Sequence, residues 1–160
     1  MSDPLSVLAR LRKAFNHHDL DTLALCFSPR AVLVAPDGLG QDREEIVSYY
    51  AEFIDAFPDS HCTPQTVTVL GDTLIAEYTL TGTNSGPWLM PGGGYLDPTS
   101  RPITVRACSV SSVEHGYIVS HRIFYDQLEL AAQLGACLWF PHPHEQAAPG
   151  RTTREPAQLQ

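Results

Sequence analysis

Few side chains in this sequence combine a type and a spacing that could move a proton. His121 and Tyr125 stand four residues apart in the alternating segment Tyr117–Tyr125, which puts both on one face of a strand. An imidazole titrates near neutrality and can give or take a proton. A phenol can donate a hydrogen bond to a developing oxyanion. Each also has a structural reading, as a histidine holding a backbone carbonyl or a tyrosine that packs. Asp126 comes next, but it lies one step off that face and makes a capping box with Glu129 for a helix over Gln127–Leu134 that Gly135 stops. Trp88 sits in a long loop, where it either closes over a substrate or is a surface aromatic. Cys26, Cys62, Cys108 and Cys137 are scattered, with no CxxC pair and no His at ligand spacing, and read as free thiols. His142 and His144 fall in a stretch rich in Pro, Gln and Ala that reads as a solvated tail rather than a metal site. Gly92–Gly94 lacks the helix and Lys that phosphate cradling requires. Neither a metal nor a nucleotide cofactor is expected.

The elements that position these groups fall in two blocks. Pro4 after Asp3 opens a first helix with Leu8, Leu11 and Phe15 on one face. Asp19 caps a second carrying Leu20, Leu23 and Phe27, and Asp42 with Glu45 caps a third whose stripe is Ile46, Tyr50, Phe53 and Phe57. Those aromatics read as ordinary core, and Pro58 ends the helix. A short strand, Ala31–Ala35, precedes the third helix. After Pro58 the period changes to two, giving strands over Gln65–Leu70, Thr73–Thr81, Ile103–Val113 and Tyr117–Tyr125. Gly71-Asp72 and His115-Gly116 serve as hairpin turns. The long loop Gly82–Pro102 has the length of a segment that closes a pocket.

Helices first and strands after predict an α+β domain over residues 1–140: a curved antiparallel sheet wrapped on about three N-terminal helices around an internal pocket. Residues 141–160 form a Pro-rich tail. Parity places Tyr117, Val119, His121, Ile123 and Tyr125 on the inner face of the last strand. Ile103, Val105, Ala107, Ser109 and Ser111 make the inner face of the strand before it. The opposite face, with Ile118, Phe124 and Val110, is left for a second copy, so a homodimer is expected.

Composition narrows the partners. The net charge of −8, from 10 basic and 18 acidic residues, argues against nucleic acid or an anionic membrane. No apolar run approaches the roughly 18 residues of a membrane span. Arg10, Arg12 and Lys13 interrupt the first apolar segment, unlike a signal peptide, so a cytoplasmic protein is expected.

Several segments together resemble the SnoaL-like polyketide cyclases, whose cone-shaped fold is shared with nuclear transport factor two and ketosteroid isomerase. They are AFN at 14–16 followed by Asp19, Pro36, GTNSG at 82–86, PTS at 98–100, and HGYIVSHR at 115–122 running into FYDQLELAAQLG at 124–135. The resemblance implies a pocket inside the cone, a dimer through the outer sheet face, and ring closure without metal or cofactor. It also implies an Asp as acid/base assisted by a His and an Asn. Those positions fall here on Ile123, Ser109 and Ala35, none of which can do that work. The carboxylates and Arg with which limonene epoxide hydrolases activate water are not found either.

Two functions lead, ahead of an isomerase or epoxide-opening enzyme of the same fold. One is a cyclase closing a ring in a hydrophobic polyketide-derived intermediate. Its inner surface would include Ala35, Ser109, Ile123 and Tyr125, with Trp88 as a lid and His121 the candidate for proton transfer. Orientation alone can supply several kcal/mol of such a barrier. The other is a module that binds a hydrophobic metabolite without turning it over.

Overall fold

The computed structural model describes residues 3–90 and 93–137; the segment 141–160 and His142 and His144 lie outside them. Helix α1 (Pro4–Asn16) starts where the Asp3 carboxylate accepts from the Leu5 N–H at 3.1 Å, and it buries Val7, Leu8, Leu11, Ala14 and Phe15. Asn16 at its end both donates to the Cys62 carbonyl (3.0 Å) and accepts from the Cys62 N–H (2.7 Å), tying the helix to the sheet. Asp19 caps α2 (Leu20–Ala24). The expected second helix extends to Phe27, but the chain leaves it after Ala24, and Phe27 opens β1 (Phe27–Ala35). A five-residue helix has little stability of its own, and pairing of Phe27 with Ile118 in the sheet prevails. β2 (Gly38–Gly40) then folds back on β1; it is too short to leave a periodic signal. In α3 (Arg43–Ala56), Asp42 accepts from the Glu45 N–H (2.9 Å) and Glu45 reaches back to the Gln41 N–H (2.8 Å).

The remaining strands are β3 (His61–Leu70), β4 (Thr73–Thr83), β5 (Trp88–Leu89), β6 (Tyr95–Leu96), β7 (Pro102–Glu114) and β8 (Tyr117–Tyr125), followed by α4 (Gln127–Gln133). β3 starts earlier than alternation predicts because it carries Pro64 through a register shift, which an edge strand tolerates. Between β7 and β8, His115 (φ 51°) and Gly116 (φ 80°) both take the left-handed region, as a two-residue hairpin turn of type I′ requires. Asp126 accepts from the Leu128 and Glu129 N–H groups at 2.9 and 3.1 Å, so this carboxylate caps α4.

The main sheet is a curved α+β sheet of six strands in the order β2-β1-β8-β7-β4-β3. It is mixed, not wholly antiparallel as expected, because β1 runs parallel to β8. That pairing joins the first strand to the last, and no local pattern announces it. A second correction concerns β8. A register shift between Ser112 and Val113 leaves Ser112 opposite Ser120 and Val113 opposite Ile118, so one residue of β8 is extra. Parity holds from His121 to Tyr125 but reverses at Ile118, which is fully buried rather than on the outer face.

The segment between β4 and β7 is anchored rather than loose. Asn84, wholly buried, donates to the carbonyls of Ala56 (3.3 Å) and Gly86 (2.8 Å) and accepts from the Thr99 N–H (2.8 Å) and hydroxyl (3.0 Å). Gly86 passes so close to α3 that an added Cβ would stand 2.1 Å from the Asp55 carbonyl oxygen. GTNSG and PTS are therefore the two halves of one clasp. The clasp seats Trp88 in a core with Phe57, Val105 and Leu130, at 4% exposure, so this tryptophan is neither the lid nor the surface aromatic expected. Among the described residues no helix is long and apolar enough to cross a membrane.

Candidate functional site

Strand register builds the site. On the inner face, Tyr78 of β4, Ala107 of β7 and Tyr125 of β8 lie side by side in one row. The next row is Ala76, Ser109 and Ile123, and the next Leu74, Ser111 and His121, which continues to Leu33 of β1. Small residues, Ala76, Ala107 and Ser109, occupy the middle of this surface. Large ones stand on either side, and Tyr49, Tyr50 and Phe53 of α3 with Leu11 and Phe15 of α1 cover it. The hollow that remains is a cavity of about 110 Å³ with a predominantly apolar lining.

His121 closes one end. It is 3% exposed, its Nδ1 lies 2.8 Å from the Ser111 hydroxyl, and the Phe27 ring meets it edge-on at 5.9 Å. Burial depresses its pKa to about 4, so the ring is neutral at pH 7. It can accept a proton weakly and is no acid there. The His121 and Tyr125 backbones are about 13 Å apart along the strand, so the two side chains serve opposite ends of the cavity.

Four phenols hold the other end, and all are pushed above the usual tyrosine range, first by burial. Tyr49 donates to the Asp37 carboxylate at 3.0 Å, and the charge of Asp37 also raises Tyr49 and Tyr125. Tyr78 also raises Tyr50. Cys62 lines the same cavity with its thiol pushed up to about 11 by burial. Tyr49 and Phe53 separate this cavity from an outer hollow of about 310 Å³ bordered by Asp37, Glu52, Asp55 and Trp88.

The structure thus brings together His121, Tyr125, Ser109 and Ile123 around one cavity. Ala35 packs half-buried against the core and is not among the residues lining it, and Trp88 borders only the outer hollow. Sequence reasoning placed Ser111 on the inner face and Tyr50 in the core without giving either a role in the site, and it missed Tyr49, Tyr78 and Asp37. Alternation in Thr73–Thr81 could have placed Tyr78 beside Ala76 on the inner face; nothing local separates Tyr50 from a packed aromatic. Among the described residues no three His, Cys, Asp or Glu side chains form a metal-binding group.

Comparison with known proteins fits this frame. The sequence matches no curated protein. A protein from Jannaschia described as a candidate SnoaL-like polyketide cyclase superposes with a TM-score of 0.75 at 20% identity, covering 84% of this chain and 93% of its own. A Catenulispora acidiphila protein of ketosteroid isomerase-like fold superposes with a TM-score of 0.69 at 20% identity, covering 84% and 97%. At that identity these two share the fold. IdmH from Streptomyces antibioticus, described as a candidate polyketide cyclase, is 30% identical, with a TM-score of 0.71 over 84% of this chain and 100% of its own. The SnoaL-like domain matches residues 8–121. With most of the described chain matched, and with the curved α+β fold of its structural relatives, the protein belongs to the SnoaL-like domain family.

Proposed function

We propose that the protein is a cofactor-independent cyclase that closes a ring in a hydrophobic polyketide-derived intermediate, chiefly by shaping it. One observation carries this reading: a largely apolar cavity, open at a mouth, whose one imidazole among the described residues, His121, is neutral and tucked against Ser111. Such a surface can hold a flexible chain in a near-attack conformer. It suits a pericyclic closure, which moves no proton to the protein, better than an aldol closure that needs an acid. At about 110 Å³ the cavity is smaller than the dry cavity of about 150 Å³ that takes benzene, so it surrounds no more than a single small ring. The rest of a longer substrate therefore extends through the mouth or displaces side chains.

The test is to offer hydrophobic polyenes and polyketones and to follow, by chromatography and mass spectrometry, conversion to a cyclic isomer of unchanged mass. Ile123→Trp, which fills the cavity, should abolish conversion, and Ala35→Phe, outside it, should leave it nearly intact. Binding without conversion of any such chain would favour the carrier reading instead.

We also propose that the protein is a homodimer. On the outer face Val34, Arg122, Val110 and Ile75 are register neighbours, with Phe124, 52% exposed, beside them. Sedimentation at micromolar concentration checks this, and a clean monomer refutes it.

A further inference from the structure

Of the four phenols at the cavity, two stand at the Asp37 carboxylate. Tyr49 donates to it at 3.0 Å, and its charge also acts on Tyr125. Tyr50 and Tyr78 differ. Tyr50 is 8% exposed and Tyr78 half-buried, both line the cavity, and among the described residues neither hydroxyl has a hydrogen-bond partner. They come from different elements, α3 and β4. Neither oxygen is sealed inside protein, since among the described residues the buried side-chain polar atom without a partner is Gln127 Nε2. Both hydroxyls therefore open on the cavity, where a ligand's acceptor can take the place of water.

We infer that Tyr50 and Tyr78 are a paired hydrogen-bond donor that takes a carbonyl oxygen of the substrate, so that the ligand class is a ketone with an apolar body. The inference rests on the cavity being the substrate site, as proposed above. It adds what that reading lacks, a polar point that fixes which part of an otherwise apolar chain lies over Ala107. His121 does not compete for the same oxygen. It is neutral, engaged with Ser111, and two rows away across the sheet. Phenols kept protonated by burial are suited to donating, since they do not ionise at any pH where the protein works.

Acetophenone and α-methylstyrene are nearly the same shape and differ in carrying C=O or C=CH₂, so they serve as probes without turnover. Binding to the intact protein is measured by NMR titration, and the carbonyl stretch of bound, ¹³C-labelled acetophenone by infrared difference spectroscopy. The bound carbonyl band should move to lower wavenumber. Tyr50→Phe and Tyr78→Phe should each weaken acetophenone by about threefold to tenfold. They should leave α-methylstyrene unchanged, and the double variant should remove the band shift. A band unshifted on binding, or variants that weaken both probes equally, would overturn the donor pair while leaving the cavity as a binding site. If neither probe binds the wild-type protein, the cavity reading fails, and the donor pair with it.

Discussion

Asn84, on a segment that meets α3, and Tyr50, on α3 itself, are both buried polar side chains, and their surroundings differ completely. Asn84 gives its amide hydrogens to two carbonyls and takes two hydrogen bonds from Thr99, while among the described residues the Tyr50 hydroxyl has no partner and lines a cavity. A polar group whose every bond is internal holds the fold together. One left open toward a cavity contributes little to folding and is available to a ligand. The family-like motif GTNSG belongs to the first kind, and the tyrosines of the cavity to the second.

Substitutions can break or sharpen that contrast. The largest effect is expected at the clasp. Asn84→Ala strands the Gly86 carbonyl and the Thr99 N–H and opens a void, costing about 4 kcal/mol in denaturant unfolding. A cost below about 1 kcal/mol would show that the clasp is dispensable.

Next comes His121. Its folded pKa of about 4 lies below the ordinary 6.5, so between these values the unfolded chain binds more protons and stability rises with pH. The contribution is complete above pH 6.5 and lost as pH falls toward 4, by up to about 3 kcal/mol. His121→Asn should flatten that part of the stability–pH curve; an unchanged slope would mean that the imidazole is not held neutral.

Asp126→Ala should cost about 1 kcal/mol by uncapping α4, and Asp126→Asn much less. If Asp126→Asn folds normally but abolishes conversion, the carboxylate is part of the chemistry after all. The smallest effect belongs to Tyr50→Phe, which should change stability by less than about 0.5 kcal/mol. A larger loss would mean that its hydroxyl is bonded inside the protein, and the contrast with Asn84 would collapse.

How much of this was legible in the sequence depends on how local each cause is. The capping carboxylates Asp19, Asp42 and Asp126 act within one turn, and all three cap where the pattern places them. Alternation ordered His121, Ile123 and Tyr125 on the inner face because that stretch of β8 pairs regularly with β7. It failed at Ile118, where an extra residue reverses the parity. The parallel pairing of β1 with β8, and the clasp that buries Trp88, join residues far apart in the chain. The absence of ionisable groups at Ile123, Ser109 and Ala35 was plain from the residues. The tyrosine cluster was not, because a helical stripe shows which face is apolar and not whether a hydroxyl on it finds an acceptor.

The most direct test of a cavity that works by shape is the rate of ring closure measured from pH 6 to pH 8 on one converted substrate. With His121 neutral above about pH 5 and all four phenols protonated throughout, the rate should be flat across that range. A rate that rises or falls about tenfold with an inflection between pH 6 and 8 would contradict the account, since it would put a titrating side chain in the ring-closing step.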